Sequence, residues 1–351
     1  MMLKLFDLSL KLSGFPIEEG KKQFEEILAV PKSDYEGFID KKKTEIVNFH
    51  LQNNSFYSEL NGSGTFNNWN DLPVLTKKNL QKPLSERLSK GYSEKNVFLN
   101  KTSGSSGEPF IFAKDKHAHA VTWASIIYRF GWFGVDFNTS YQARFYGIPK
   151  DFIGYRKERL KDFLSKRYRF SIFDLSDEIL EGFLKHFRTK KFDYINGYTS
   201  SIVLFAKFLK QKKIILKDIC PTLKVCMATS EMLFEADKLL LETQFGIPIV
   251  NEYGASELDL IAFQNAEGEW QVNAETLFVE ILDDDDQPVP NGKEGRIVIT
   301  SLFNKAHPFI RYDIGDIGIL DEKSMLKKPI LKQLIGRTND VAVLPSGKKS
   351  P

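Results

Sequence analysis

Short apolar runs alternate with helical patterns from about residue 141 to about residue 250, and this alternation constrains the fold more than any other feature of the sequence. The strand-like runs cover residues 141–146, 194–196, 223–227 and 248–250. The helical patterns cover residues 155–165, 176–188, 200–211 and 231–244. Strands that alternate with helices of this length predict an α/β fold, in which helices cover a parallel sheet. Ligands of such sheets bind beyond the carboxyl ends of the strands.

The pattern changes after about residue 270, where strands follow one another without helices between them. Strand-like stretches cover residues 277–282, 295–300, 309–312 and 317–320. They predict a small antiparallel subdomain that resembles a barrel. The aspartates at 283–286 invite a calcium-loop interpretation, but Pro288 stands where an EF-hand needs glycine, so a solvated hairpin turn is favoured.

Helical spacing of apolar residues dominates the first part of the chain. It predicts an amphipathic helix within residues 1–15, further helices over 17–60, and a buried helix over 117–132. Between them, an extended stretch around Pro73 is expected to lead into a helix capped by Thr76.

The segment from Lys101 to Phe110 packs hydroxyl side chains and two glycines into one short loop. Apolar residues flank it on both sides, which predicts strand, loop, strand. Glycines let backbone N–H groups turn inward and bind an anion, and hydroxyls add donors. A flexible Gly/Ser turn is the alternative. The loop is not a Walker A loop, because Glu108 and Pro109 follow its last glycine, and its glycine spacing is not that of a nucleophile elbow.

Composition excludes several classes of protein. The 351 residues include 49 basic and 46 acidic side chains, a net charge of +3, which argues against a generic nucleic-acid-binding surface and leaves only a local basic patch as an alternative. Cys220 and Cys226 are expected to be buried thiols, because two cysteines make no disulfide framework. No run of 18 apolar residues predicts a transmembrane helix, and no signal peptide is recognised, so a cytoplasmic protein is expected.

Four stretches, in this order along the chain, resemble motifs of the adenylate-forming superfamily, which comprises acyl-CoA synthetases, luciferases and adenylation domains of peptide synthetases. They are the loop at 101–110, the segment at 252–257 (Glu-Tyr-Gly-Ala-Ser-Glu), the segment at 311–316 (Arg-Tyr-Asp-Ile-Gly-Asp) and the segment at 336–340 (Gly-Arg-Thr-Asn-Asp). The stretch at 73–77 and the form of the third motif look closer to the phenylacetate–CoA ligase branch, which includes CapK-like proteins of capsule polysaccharide biosynthesis. The resemblance implies one large adenylating domain over 1–334, with the antiparallel subdomain at about 270–334, and a hinge at 335–351.

The resemblance also implies ATP and Mg²⁺ as cofactors and gives each motif a role. The residues that resemble phosphate-binding groups are Thr102, Ser103, Gly104, Ser105, Ser106 and Gly107. Ser256 resembles the residue that bonds the α-phosphate, and Glu257 the catalytic ligand of Mg²⁺, for which a carboxylate is suitable. The adenine-binding segment corresponds to Ser230, Glu231, Tyr253 and Gly254. Asp316 resembles the acceptor of the ribose hydroxyls, and Arg337 an arginine near the hinge that contacts ribose or phosphate.

An acid-binding pocket lined by Phe145, Tyr146, Asn196, Tyr198 and Thr229 is implied in the same way, although each of these residues could instead belong to the core. Structural alternatives exist for the other positions too. Tyr253 could be a core tyrosine, Glu257 a carboxylate at a helix N-terminus, and Asp316 a turn residue.

The implied activity joins a small carboxylic acid to AMP with release of pyrophosphate, then transfers the acyl group to CoA, a carrier-protein thiol or an amine. The sequence departs from the family at Phe110, where a phosphate-contacting lysine is usual, and at Asn339, where aspartate is usual. It also ends at Pro351, before the domain that carries the family's catalytic lysine, so weak adenylation is expected of this chain alone. A nucleotide-binding protein without ligase turnover is the alternative function, and a kinase or P-loop NTPase is disfavoured by the loop.

Overall fold

The computed structural model describes residues 4–62, 66, 68–102, 110–147, 152–337, 342–343 and 349–350. The helices are α1 Leu5–Leu12, α2 Ile17–Ala29, α3 Tyr35–Asn53, α4 Ser55–Leu60, α5 Leu84–Arg87, α6 Lys116–Gly131, α7 Phe152–Leu164, α8 Asp177–Thr189, α9 Thr199–Lys212, α10 Leu216–Ile219 and α11 Glu235–Phe245. The strands are β1 Phe98–Lys101, β2 Ile111–Lys114, β3 Gln142–Phe145, β4 Arg167–Phe170, β5 Tyr194–Tyr198, β6 Val225–Thr229, β7 Ile249–Ala255, β8 Asp259–Gln264, β9 Trp270–Val272, β10 Leu277–Leu282, β11 Glu294–Ser301, β12 Tyr312–Leu320, β13 Ile330–Arg337, β14 Ala342–Val343 and β15 Lys349–Ser350.

Two compact units make up the chain. The first unit comprises residues 1–13, 126–254 and 263–268, and the second comprises residues 14–125, 255–262 and 269–351. The division of the chain into an adenylating domain over 1–334 and a hinge over 335–351 stays a prediction.

The first unit contains the predicted parallel sheet. Its strands lie in the order β4–β3–β5–β6–β7, and every neighbouring pair is parallel. One face packs on helices α8, α9 and α11 through a core rich in phenylalanine, in which Phe145, Phe183 and Phe205 contact one another. The prediction of an α/β fold with a parallel sheet is therefore confirmed.

The second unit contains antiparallel strands in the order β10–β11–β12–β13–β9 and the separate hairpin β1–β2. The predicted antiparallel pairing of these strands is confirmed, and closure of the sheet into a barrel stays a prediction. Residues 283–286 form the expected hairpin turn, in which Asp283 Oδ1 accepts from the amides of Asp285 and Gln287.

The prediction of separate strands at 309–312 and 317–320 is wrong, because one strand, β12, runs from Tyr312 to Leu320. Its polar residues are paired within the unit. The carboxylate of Asp313 accepts from Arg296 at 2.9 Å, and Asp316 lies beside Arg337 on β13. The middle of the strand is nevertheless irregular, since Gly315 has a φ of 83° and the pairing with β11 shifts register between Asp313 and Ile317.

The helix expected after Thr76 is also absent from the described chain. The Thr76 hydroxyl donates to Asn79 Oδ1 at 2.6 Å, and the same oxygen accepts from the Thr76 amide at 2.8 Å. These bonds close a turn around residues 77–80 and leave the Thr76 hydroxyl occupied as a donor. The next helix, α5, begins at Leu84.

The two thiols are buried, as predicted, at 2% exposure for Cys220 and 0% for Cys226. Within the described residues, the helices are all too short or too polar to cross a membrane.

Candidate functional site

The hairpin of the second unit holds both ends of the Gly/Ser loop. The Thr102 amide donates to the Phe110 carbonyl at 3.0 Å, and the Phe110 amide donates to the Thr102 hydroxyl oxygen at 3.2 Å. The predicted strand–loop–strand arrangement is confirmed at these two ends. Residues Ser103, Gly104, Ser105, Ser106 and Gly107 lie outside the described residues, so their binding of phosphate stays a prediction.

A buried lysine joins this hairpin to the turn that carries Ser256 and Glu257. The Lys114 ammonium, on β2, donates to the Ser256 carbonyl at 3.0 Å and lies 2.6 Å from Asp259 Oδ2. Asp259 has a left-handed backbone, with φ of 58°, which is uncommon outside glycine. Because Lys114 fixes one residue at each end of the turn, it restricts where Ser256 and Glu257 can lie.

The charge of Asp259 is also set by this contact. Burial opposes ionisation, but Lys114 and His119 outweigh it and hold the pKa of Asp259 well below its ordinary value of 3.8. The His119 ring is itself fixed, since Phe98 stacks on it at 4.2 Å and Trp123 Nε1 donates to its Nε2 at 3.1 Å. The ion pair therefore sits in a rigid setting.

The carboxylate of Glu257 is buried, and its Oε1 accepts a hydrogen bond of 3.0 Å from the Tyr312 hydroxyl. Burial and the neighbouring Glu257 carboxylate raise the pKa of Tyr312 far above its ordinary value, so the phenol stays protonated and donates. A fixed carboxylate oxygen is a ligand that Mg²⁺ prefers, so the chemistry of this residue fits the predicted metal role. The role itself stays a prediction.

Two further predicted residues lie together in the second unit. Asp316 and Arg337 are directly opposite each other on β12 and β13, with Arg337 Nε 3.5 Å from Asp316 Oδ1. Asp316 is buried and Arg337 is exposed. The pair gives a buried carboxylate acceptor beside an exposed cation, a combination suited to ribose hydroxyls and phosphate oxygens.

The first unit aligns most of the predicted acid-pocket residues on one face of its sheet, at the carboxyl ends of the strands. A first row across the sheet consists of Arg144, Asn196, Met227 and Val250. A second row, one step nearer the strand ends, consists of Tyr146, Tyr198, Thr229 and Glu252. Tyr146 and Tyr198 have ring centroids 4.7 Å apart, and the Thr229 hydroxyl donates to Glu252 Oε1 at 3.0 Å.

Phe145 does not belong to these rows. Its side chain lies on the opposite face, fully buried against Phe170, Phe183 and Phe205. The core alternative that the sequence left open therefore describes Phe145. Its neighbour Tyr146 points to the other face because successive side chains of a strand alternate.

The remaining predicted adenine-site residues lie at the ends of β6 and β7. Tyr253 is buried, and Gly254 and Ser230 are exposed. The exposed Glu231 accepts from the Ser200 amide at 2.6 Å and from the Ser200 hydroxyl at 3.1 Å, so its carboxylate caps the N-terminus of α9. Contact of these residues with adenine stays a prediction.

Four residues of these contacts were not predicted from the sequence: Lys114, Asp259, Tyr312 and Arg144. Tyr312 is part of a quoted motif, but its partner lies 55 residues away and no local pattern indicates it. Arg144 could have been found, since the alternation that places Tyr146 on one face of the strand places Arg144 beside it.

Comparison with known sequences gives two relatives, while no family model matches. The chain is 25% identical over 318 residues to Protein CapK of Staphylococcus aureus, covering 84% of this chain and 66% of that protein. It is 28% identical over 131 residues to phenylacetate-coenzyme A ligase of Aromatoleum evansii, covering 35% of this chain and 29% of that protein. The chain thus spans less than two thirds of the length of both curated relatives.

Comparison with solved structures shows the fold. A 2-hydroxyisobutyryl-CoA ligase, solved with 2-HIB-AMP and CoA, matches with a TM-score of 0.72 at 15% identity, over 92% of this chain and 79% of that one. The amide bond synthetase McbA from Marinactinospora thermotolerans matches with a TM-score of 0.53 at 14% identity, over 74% of this chain and 52% of that one. The two sequence relatives and the shared fold confirm the resemblance to adenylate-forming enzymes.

Proposed function

Since the chain resembles CapK and phenylacetate–CoA ligase in sequence and has the fold of adenylate-forming enzymes, we propose that it serves in ATP-dependent activation of a carboxylic acid. In this reaction a carboxylate oxygen attacks the α-phosphorus of ATP, and the bond between that phosphorus and the bridging oxygen of pyrophosphate breaks. The products are an acyl-adenylate and pyrophosphate. The names of the relatives support a ligase-like enzyme.

The observation that carries the proposal is the pairing of motif residues within the second unit. Tyr312 of the third motif bonds Glu257 of the second, and Asp316 of the third faces Arg337 of the fourth. Residues of three motifs, separated by up to 80 positions, are thus brought into two direct contacts. Such convergence is expected of a binding site and has no counterpart in the local sequence.

The chain's own residues would act mainly by positioning and by compensating charge, because attacking group and phosphate are both anions. The loop from Thr102 to Gly107 and Ser256 would donate to phosphate oxygens, and Asp316 would accept from ribose hydroxyls. The carboxylate of Glu257 would hold Mg²⁺, which when bound neutralises charge on the phosphates. Tyr253, with Gly254, Ser230 and Glu231, would border the adenine.

The acyl acceptor is proposed to be CoA, because two of the relatives are CoA ligases and one of them is solved with CoA. A carrier-protein thiol or an amine would react with the same acyl-adenylate, and McbA is an amide bond synthetase. A place in surface polysaccharide biosynthesis is proposed from the resemblance of the sequence motifs to the CapK-like branch, and a cytoplasmic location is proposed because ATP and CoA are available there. The second candidate function, nucleotide binding without ligase turnover, differs in lacking acid-dependent release of pyrophosphate.

Incubation of the chain with ATP, Mg²⁺, hydroxylamine and a panel of carboxylic acids tests the proposal. We expect a hydroxamate and a matching amount of pyrophosphate with a subset of the acids, in an end-point assay long enough to register slow turnover. ATP binding without any acid-dependent pyrophosphate would reject the ligase proposal in favour of the second candidate. Absence of both ATP binding and turnover would reject both.

A further inference from the structure

We infer that Arg144 binds a second anionic group of the acid, so that the substrate class is a dicarboxylic acid. This inference rests on the proposed function and narrows it. One carboxylate of the acid would be activated, and the other would be held by the guanidinium at the β3 end of the two rows of side chains.

The Arg144 side chain is partly buried and lacks a charge partner within the described part of the chain. Its guanidinium lies over the Tyr146 ring, 4.2 Å from the centroid. Its Nε is buried without a hydrogen-bond partner. Removing a guanidinium from water without a counter-charge costs free energy that a bound anion would recover.

The neighbouring arginines show what a structural arginine of this sheet looks like. Arg169 lies directly opposite Arg144 in the β3–β4 register, and its guanidinium is 2.7 Å from Glu158 and 3.0 Å from Asp162. Arg167, on the same strand, also pairs with Asp162. The two carboxylates are thus occupied by arginines of β4, whereas the Arg144 guanidinium lies over the Tyr146 ring of the second row.

Glu252, the acidic residue of the second row, has its carboxylate engaged by another residue. It lies on β7, three strands along the sheet from β3, and its Oε1 accepts from the Thr229 hydroxyl at 3.0 Å. The surface between them carries Asn196, Tyr198 and Thr229, which offers hydrogen bonds rather than a competing charge.

The chemistry favours a carboxylate as the occupant. A guanidinium presents parallel N–H donors that match the two oxygens of a carboxylate, and such charge-assisted pairs are about twice as strong as neutral ones. The contact with the Tyr146 ring restrains the guanidinium, so less rotamer freedom is lost when the anion binds. An uncharged group at this place would leave the cation without compensation.

Titration of the chain with matched acids tests the inference. The probes are succinate, glutarate and adipate, each compared with its monomethyl ester, added in the presence of ATP and Mg²⁺ and followed by calorimetry. We expect at least one dicarboxylate to bind about tenfold or more tighter than its ester. Arg144→Gln should abolish this preference, and Arg144→Lys should retain part of it. Arg188→Gln, which removes an exposed arginine of α8, is the charge-matched control and should keep the preference.

The possible outcomes separate the inference from the proposed function. If ATP binds and each ester binds as tightly as its diacid, or if no diacid binds, the inference is overturned while nucleotide binding stands. If neither ATP nor any acid binds, the proposed function itself fails. If Arg144→Gln does not fold, as judged by circular dichroism, Arg144→Lys and the diacid-to-ester ratio of the unchanged chain decide the matter.

Discussion

The hydroxyl of Tyr312 donates a hydrogen bond of 3.0 Å to Oε1 of Glu257, and both side chains are buried. The phenol cannot ionise near neutral pH, because burial and the adjacent carboxylate raise its pKa. It is therefore a permanent donor that fixes one oxygen of the carboxylate proposed to bind Mg²⁺. This contact ties the strand β12 to the turn that follows β7.

Replacing Tyr312 with phenylalanine is expected to lower the free energy of unfolding by about 1–3 kcal/mol, because a buried carboxylate loses its donor. Urea unfolding measures the change. Tyr155→Phe, at an exposed tyrosine of α7, is the control and should change stability by less than about 0.5 kcal/mol. Equal midpoints for Tyr312→Phe and the unchanged chain would show that the contact contributes nothing.

Replacing Glu257 with glutamine keeps an acceptor for Tyr312 and removes the negative charge. We expect the fold to be retained and the Mg²⁺-dependent part of ATP binding to be lost, since a neutral amide is a poor ligand for a hard cation. Calorimetric titration of ATP with and without Mg²⁺ measures this. An unchanged effect of Mg²⁺ in the variant would assign the metal to another residue.

The ion pair between Lys114 and Asp259 predicts a loss of stability in acid. Because the pKa of folded Asp259 lies below 3.8, its contribution is present above about pH 4 and disappears as pH falls through the folded pKa. Asp259→Asn should therefore be destabilised at pH 7 by about 1–3 kcal/mol, with a smaller difference at pH 3. The exposed pair of Lys42 and Glu45 provides the control, and Glu45→Gln should cost less than about 1 kcal/mol. If the difference in unfolding free energy between Asp259→Asn and the unchanged chain were the same at pH 7 and pH 3, the ion pair would not be the source of the acid effect.

His50 predicts a second acid effect on stability in the second unit, at higher pH than that of Asp259. Burial lowers its pKa from 6.5 to about 4, while its Nε2 donates to the Asn304 carbonyl at 2.9 Å. Between pH 6.5 and pH 4, His50 is protonated in the unfolded chain but stays neutral in the folded chain. The free energy of unfolding therefore falls by up to about 3 kcal/mol as pH drops from 6.5 to 4. His50→Gln should flatten the dependence of the unfolding free energy on pH in this window, and His117→Gln should not. If the unfolding free energy of His50→Gln depended on pH in the same way as that of the unchanged chain, His50 would not be the source of this effect.

The sequence predicted those strands whose apolar runs are bounded by polar residues, such as β5, β6 and β7. It missed β4, where Arg167 and Arg169 interrupt the apolar pattern, because their partners lie on α7 and are not visible in the strand itself. It also divided β12 at Asp313 and Asp316 for the same reason. Local patterns of apolar residues indicate which positions are buried, but they do not indicate which charged residues form ion pairs with distant parts of the chain.

Site residues that belong to a sequence motif could be predicted, whereas site residues that are recognised only by their contacts in the structure could not. Asp316 and Arg337 were both predicted, and the structure sets them side by side. Lys114 was not, because a lysine at the end of a short strand has no signature before its partners at Ser256 and Asp259 are known. Phe145 was assigned to the pocket together with Tyr146, although strand alternation separates the two.

Calorimetry of ATP binding in the presence of Mg²⁺ decides whether this chain has an ATP site that includes Asp316. We expect the unchanged chain and the control Glu322→Gln, at an exposed carboxylate, to bind ATP alike. Asp316→Ala is expected to bind ATP about tenfold or more weakly, because the ribose loses a charged acceptor. Equal affinity of Asp316→Ala, or no binding of ATP by the unchanged chain, would contradict the proposed ATP site.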